Sequence, residues 1–161
     1  MSAGAPNKQQ VLEDLKLLID RIKDAYKVED SELAASIFED TIPVDAAVQE
    51  DLTVFESVTK YLHENRNKRF ADIALILGRN QKTIWATYNR ARHKRKKAVT
   101  AKSTVLVPLS IFRDNNLSPL ESIVKFLLEK NMRGIDIARL LNKAPTTIST
   151  VKSRLGVKAH E

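Results

Sequence analysis

The chain has 161 residues, 43% of them hydrophobic and 29% charged, with a net charge of +7. Four glycines and five prolines supply few tight turns, and the absence of cysteine excludes disulfides, cysteine–zinc sites and thiol chemistry. His63, His93 and His160 are scattered without metal-ligand spacing, and no apolar run approaches membrane-spanning length. No basic segment followed by an apolar one opens the sequence, so the expectation is a cytoplasmic protein with neither metal nor cofactor. Leu, Ile, Ala, Lys and Glu recur at helical spacing and no alternating strand pattern stands out, which predicts an all-α fold.

Charge is distributed unevenly. Residues 1–51 hold 5 basic and 12 acidic side chains, 52–104 hold 13 and 3, and 105–161 hold 9 and 5. An acidic front followed by a basic remainder implies different partners for the two regions.

In the acidic part, Val11, Leu15, Leu18, Ile22 and Ala25 recur at coiled-coil spacing, while Leu12, Ile19 and Tyr26 widen the stripe towards that of a packed bundle. "DSELAASIFED" (30–40) predicts a shorter helix capped by Asp30 or Ser31 that folds back on the first. Residues 1–40 therefore read as a helical association module, a coiled coil or a helical hairpin. Val11, Leu15, Leu18 and Ile22 would form a homodimer seam, or else dock on the chain's own repeats or on another protein.

The rest of the chain contains one unit twice. "IPVDAAVQEDLTVFESVTKYLHEN" (42–65) aligns with "VPLSIFRDNNLSPLESIVKFLLEK" (107–130), matching Pro43 with Pro108 and Glu56-Ser57 with Glu121-Ser122. One residue drops out of the second copy, after which "DIALILGRNQKTIWATYNRA" (72–91) aligns with "DIARLLNKAPTTISTVKSRL" (136–155). Each copy predicts three helices, at about 52–65, 70–77 and 81 into the 90s, then at 117–131, 134–141 and 145–155. Asn80 is a good cap for the third helix of the first copy, Pro145 suits the first position of its counterpart, and Gly156 marks a stop.

Ala74-x3-Gly78-x5-Ile84 has the spacing of a helix-turn-helix: a small residue at the helix crossing, a turn, and a β-branched core plug. Ala138-x3-Asn142-x5-Ile148 repeats it, with Asn tolerated where the backbone turns left-handed. The predicted units cover 41–97 and 107–161, joined by a linker at 98–106. "LSPLESIVKFLLEKNMRGIDIARLLNKAPTTI" and "FADIALILGRNQKTIWATYNRARHK" resemble the promoter-reading C-terminal helix-turn-helix of bacterial sigma factors, and still more the sigma-type helix-turn-helix proteins of archaea and uncultured prokaryotes. The resemblance spans about 42–97 and 107–156. It implies sequence-directed binding of double-stranded DNA through each third helix, and contact with RNA polymerase or other transcription machinery.

In that geometry the start of the third helix enters the major groove. With Ile84, Thr87 and Ala91 turned inward, the first copy offers Asn80, Gln81, Lys82, Thr83, Trp85, Ala86, Asn89 and Arg90. The second offers Thr146, Thr147, Ser149, Thr150, Ser153 and Arg154, a hydroxyl-rich surface of weaker specificity. Arg90, Arg92, Lys94, Arg95, Lys96 and Lys97 read as phosphate contacts, because no acid lies between Asp72 and Asp114 to pair with them locally. Trp85 either packs near Tyr61 or faces DNA, with packing favoured because an exposed indole is expensive, and Tyr88 is equally ambiguous. The segment "HKRKKAVTAKST" (93–104), partly helical or extended to roughly 40 Å, would let the units occupy successive major grooves.

The function these readings predict is a DNA-binding transcriptional regulator, nucleoid-associated and without enzymatic activity. The alternatives are an architectural DNA-binding or protein-adaptor module and, with less support, the recognition part of a recombinase or transposase. The last would need a catalytic domain that residues 1–40 are too short to provide.

Overall fold

In the computed structural model, which describes residues 6–27 and 40–158, helix α1 (Lys8–Tyr26) starts at Asn7, whose side chain accepts the Gln10 N–H at 2.8 Å. It ends at Lys27, which turns left-handed at φ 54° and donates its N–H to the Lys23 carbonyl. α1 belongs to a unit of its own, Met1–Glu39, and buries none of its residues. Val11, Leu15 and Leu18 are 48, 45 and 54% exposed, and Ile22 is half-buried. Apart from Asp40, the helix expected at 30–40 lies outside the described residues.

Asp40–Glu161 form the second unit. Its elements are β1 (Thr41–Pro43), α2 (Val44–Ala47), α3 (Val54–Glu64), α4 (Phe70–Leu77), α5 (Gln81–Lys94), β2 (Leu106–Pro108), a 3₁₀ turn (Leu109–Arg113), α6 (Pro119–Glu129), α7 (Gly134–Leu140) and α8 (Pro145–Lys158). The described chain is therefore mostly helical, with one small two-stranded sheet.

The same local devices recur at matching positions of the two sequence copies. Thr53 and Glu56 close a reciprocal capping box at the start of α3, and Ser118 and Glu121 do so for α6. That sets both helices two residues later than apolar spacing alone predicts, because the capping residue must stay extended. Each such cap is worth about 1 kcal/mol. Gly78 (φ 61°) and Asn142 (φ 51°) make the left-handed turns after α4 and α7, as do Asn67 and Asn131 before those helices. Arg69 pairs with Asp72 at 2.9 Å, and Arg133 with Asp136 at 2.7 Å.

α5 packs on α3 and α4, and α8 packs on α6 and α7. The two sets share one core, in which Ile42, Val58, Ile73, Leu77, Ile84 and Ala91 are continuous with Val107, Leu109, Ile123, Val124, Ile137 and Ile148. α3 touches α6 directly, and the 3₁₀ turn of the second copy lies against α4 of the first.

The all-α reading holds with one addition, a short strand pair, and two expectations are corrected. Thr41–Pro43 pairs antiparallel with Leu106–Pro108, a long-range ladder of three residues each way and too short to show alternation in the sequence. The 93–104 segment is not a free tether. α5 ends at Lys94, Val99 is buried, and the Asp45 carboxylate accepts the backbone N–H groups of Lys102 (2.6 Å) and Ser103 (3.0 Å). Asn65 Nδ2 adds a bond to the Val99 carbonyl at 3.0 Å, so the segment is held on the first copy. Finally, Gly156 does not stop α8, which continues to Lys158. Nothing lies within 4 Å of where its Cβ would stand, so it is tolerated as an ordinary helical residue.

Candidate nucleic-acid interface

α5 owes its direction to three buried side chains, Ile84, Thr87 and Ala91, which seat it on the core. Asn80 fixes its first turn by accepting the Lys82 N–H at 2.8 Å. The opposite side is open: Asn80, Gln81, Lys82, Thr83, Trp85 and Arg90 are exposed, and Ala86 and Asn89 are half-buried. On α8, Ile148 and Val151 face the core, Thr146, Ser149, Thr150, Ser153 and Arg154 are exposed, and Thr147 is half-buried.

Trp85 is 58% exposed and does not occupy the interior position favoured from the sequence. Tyr88 packs inward instead, edge-on to His63 at 4.6 Å and against Phe70 at 5.3 Å, while His63 stacks on Phe70 at 4.3 Å. Its hydroxyl donates to Glu64 Oε1 at 3.1 Å. Burial, then the Glu64 carboxylate, raises the Tyr88 pKa, so the phenol keeps its proton. The same carboxylate holds the fully buried Lys60 ammonium at 2.6 Å. The i,i+4 spacing of Lys60 and Glu64 is visible in the sequence, but their burial is not.

The basic run divides into two groups. Lys94 Nζ lies 2.9 Å from the Glu56 carboxylate, with Arg90 Nε at 3.8 Å from it, and Arg95 reaches Gln49 Oε1 at 2.6 Å and Asp51 at 3.3 Å. These acids stand outside the acid-free interval 72–114, so the inference that the whole run lacks carboxylate partners is corrected for Arg90, Lys94 and Arg95. Glu56 itself is 4% exposed. Burial pushes its pKa up, but the Thr53 backbone N–H, Lys94 and Arg90 outweigh that, and the net shift is downward. It is therefore an ionised anchor for the end of α5.

Lys82, Arg92, Lys96 and Lys97 form no ion pair among the described residues. Arg92 and Lys96, with Asn89 and His93, line an open cavity of about 480 Å³ along the second half of α5. A second, more apolar hollow of about 510 Å³ lies at its start, between Phe70, Asn80, Gln81, Lys82 and Trp85. The outer side of α5 thus joins amide, cationic and aromatic groups along one helix.

No protein-family model matches the chain, and no curated protein or solved structure is significantly similar to it. What the surface does must follow from its chemistry.

α8 offers less. Thr150 Oγ1 donates to the Thr146 carbonyl at 2.9 Å, and Ser153 Oγ to the Ser149 carbonyl at 3.1 Å. A hydroxyl whose proton is given to its own helix has only lone pairs to present, and phosphate oxygens are acceptors too. Arg154 is the exposed cation of that face for which the sequence predicts a contact. Among the described residues no cluster of His, Asp and Glu gathers to hold a metal, and no helix is long and apolar enough to cross a membrane.

Proposed function

We propose that this chain is a transcriptional regulator that binds double-stranded DNA through tandem sigma-type helix-turn-helix units, α3–α5 and α6–α8. The observation that carries the reading is the outer side of α5. A helix held on the core by its own buried edge displays Gln81, Lys82, Thr83 and Asn89 beside Trp85, and leads into the unpaired Arg92, Lys96 and Lys97. Gln and Asn match adenine edges in the major groove, Lys and Arg match guanine, and an apolar ring suits a thymine methyl. The free cations beyond them fit the flanking phosphates. Contact with RNA polymerase and a nucleoid location belong to the same reading through the sigma-factor resemblance.

Selection from a random duplex pool with the full chain is the test. Enrichment of a defined motif supports the regulator. Binding without a motif supports an architectural role, which the back-bonded hydroxyls of α8 favour for the second unit. No enrichment at all removes DNA from the account.

The exposed Val11, Leu15 and Leu18 on α1 support association of two chains along a coiled-coil seam that also takes in Ile22. In sedimentation velocity the full chain is expected to run as a dimer, and Leu15→Lys with Leu18→Lys as a monomer. An unchanged sedimentation coefficient would remove the seam.

A further inference from the structure

The two repeats meet in a way that fixes their mutual orientation. β1 and β2 run antiparallel, with Ile42 opposite Val107, Pro43 opposite Leu106 and Thr41 opposite Pro108. In the repeat alignment Ile42 is the counterpart of Val107, and Pro43 of Pro108. The central pair therefore joins a residue to its own counterpart, and the two flanking pairs are images of each other. Only a two-fold axis through that central pair produces this. A head-to-tail arrangement would carry β1 onto β2 without reversing its direction.

The surrounding bonds obey the same operation. Val44 N–H donates to the Val105 carbonyl at 2.9 Å and Leu109 N–H to the Asp40 carbonyl at 2.8 Å. Val44 and Leu109 are counterparts, as are Asp40 and Val105. Further out, Asn142 in the turn before α8 donates to Glu50 at 3.1 Å, and Arg79 in the turn before α5 donates to Asn115, the counterpart of Glu50. Each of α5 and α8 thus begins beside the opposite repeat, one on either side of the axis.

We propose that the site recognised by this chain is an inverted repeat of two unlike half-sites, one read by α5 and the other by α8, within a single protomer. This rests on the DNA-binding reading above. B-DNA has local two-fold axes perpendicular to its length, so surfaces related by a two-fold axis meet base sequences of opposite polarity. The half-sites differ because the helices differ: Gln81, Lys82, Trp85 and Asn89 of α5 stand where α8 has Pro145, Thr146, Ser149 and Ser153. Arg90 and Arg154 are retained at matching positions.

The experiment compares three duplexes built from the sequences that the full chain enriches. One keeps the enriched arrangement, one reverses the weaker half-site at unchanged spacing, and one holds the stronger half-site alone. In fluorescence anisotropy, reversal is expected to weaken binding about 100-fold, to the level of the lone half-site, because the rigid pair can no longer engage both. Equal or tighter binding to the direct repeat overturns the inverted arrangement. So does a lone half-site bound as tightly as the pair, or binding with no motif, and in each of these cases DNA binding itself stands. Failure to enrich any duplex removes the DNA-binding reading and this inference with it.

Discussion

Replacing Ile42 by alanine is expected to destabilise both repeats together, by about 2–5 kcal/mol. Ile42 is fully buried at the centre of the strand pair, opposite the equally buried Val107, in a core that contains Ile84 of α5 and Ile148 of α8. Removing its branched side chain leaves a void that neither repeat can close alone, since each is held by the other's strand. Amide hydrogen exchange on the full chain reads the result. Protection at Ile84 and Ile148 should fall in parallel in Ile42→Ala, as it does when one cooperative unit opens. If the Ile84 amide lost protection while Ile148 kept its own, the repeats would be separately folding units joined by a weak ladder.

The helices were legible from the sequence because their signals are local. Asn80 before α5, and Gly78 and Asn142 at the turns, each act within a few residues, while the capping boxes at Thr53 and Ser118 went unread and left both helix starts two residues early. Their periodic apolar residues then say which side is buried. The pairing of β1 with β2 has no such signal. Each strand is three residues ending in a proline, and what makes them strands is a partner far along the chain. The packing of 98–106 on the first repeat was hidden for the same reason. Its chief anchor, Asp45, looks in the sequence like an ordinary residue of a short acidic stretch.

The candidate site was legible in its direction more than in its chemistry. Ile84, Thr87 and Ala91 mark the inner edge of α5, so the exposed positions follow from helical geometry. Trp85 was misjudged because the cost of exposing an indole was weighed without knowing that the half-buried Tyr88, His63 and Phe70 pack on one another. The partners of Arg90, Lys94 and Arg95 were missed because Glu56, Gln49 and Asp51 lie far back in the chain, and Glu56 stood out only in the Glu-Ser match between the copies. The Glu56 carboxylate serves both the cap and the cations: Oε2 accepts the Thr53 N–H at 3.0 Å while Lys94 bonds both oxygens. A formal charge count overstates the cations free for phosphate, and on α5 and the run that follows it the structure narrows them to Lys82, Arg92, Lys96 and Lys97.

That narrowing sets the salt dependence expected of the proposed DNA binding. If these four side chains neutralise four phosphates, log affinity should fall against log salt with a slope of about −3.6, which is about 100-fold between ~50 and ~200 mM. The fourfold variant Lys82→Ala, Arg92→Ala, Lys96→Ala and Lys97→Ala should lose most of that slope, with its helical circular dichroism intact because all four are surface residues. Glu56→Gln supplies the opposite arm. Glutamine preserves the acceptor of the capping box, but the charge that holds Lys94 and Arg90 is gone. Both cations are then free for phosphate, and the slope should steepen towards about −5.4. Anisotropy titrations of the three proteins on one duplex decide it. A wild-type slope near zero, or a fourfold variant as salt-sensitive as the wild type, would mean that the cationic end of α5 does not lie along a sugar–phosphate backbone.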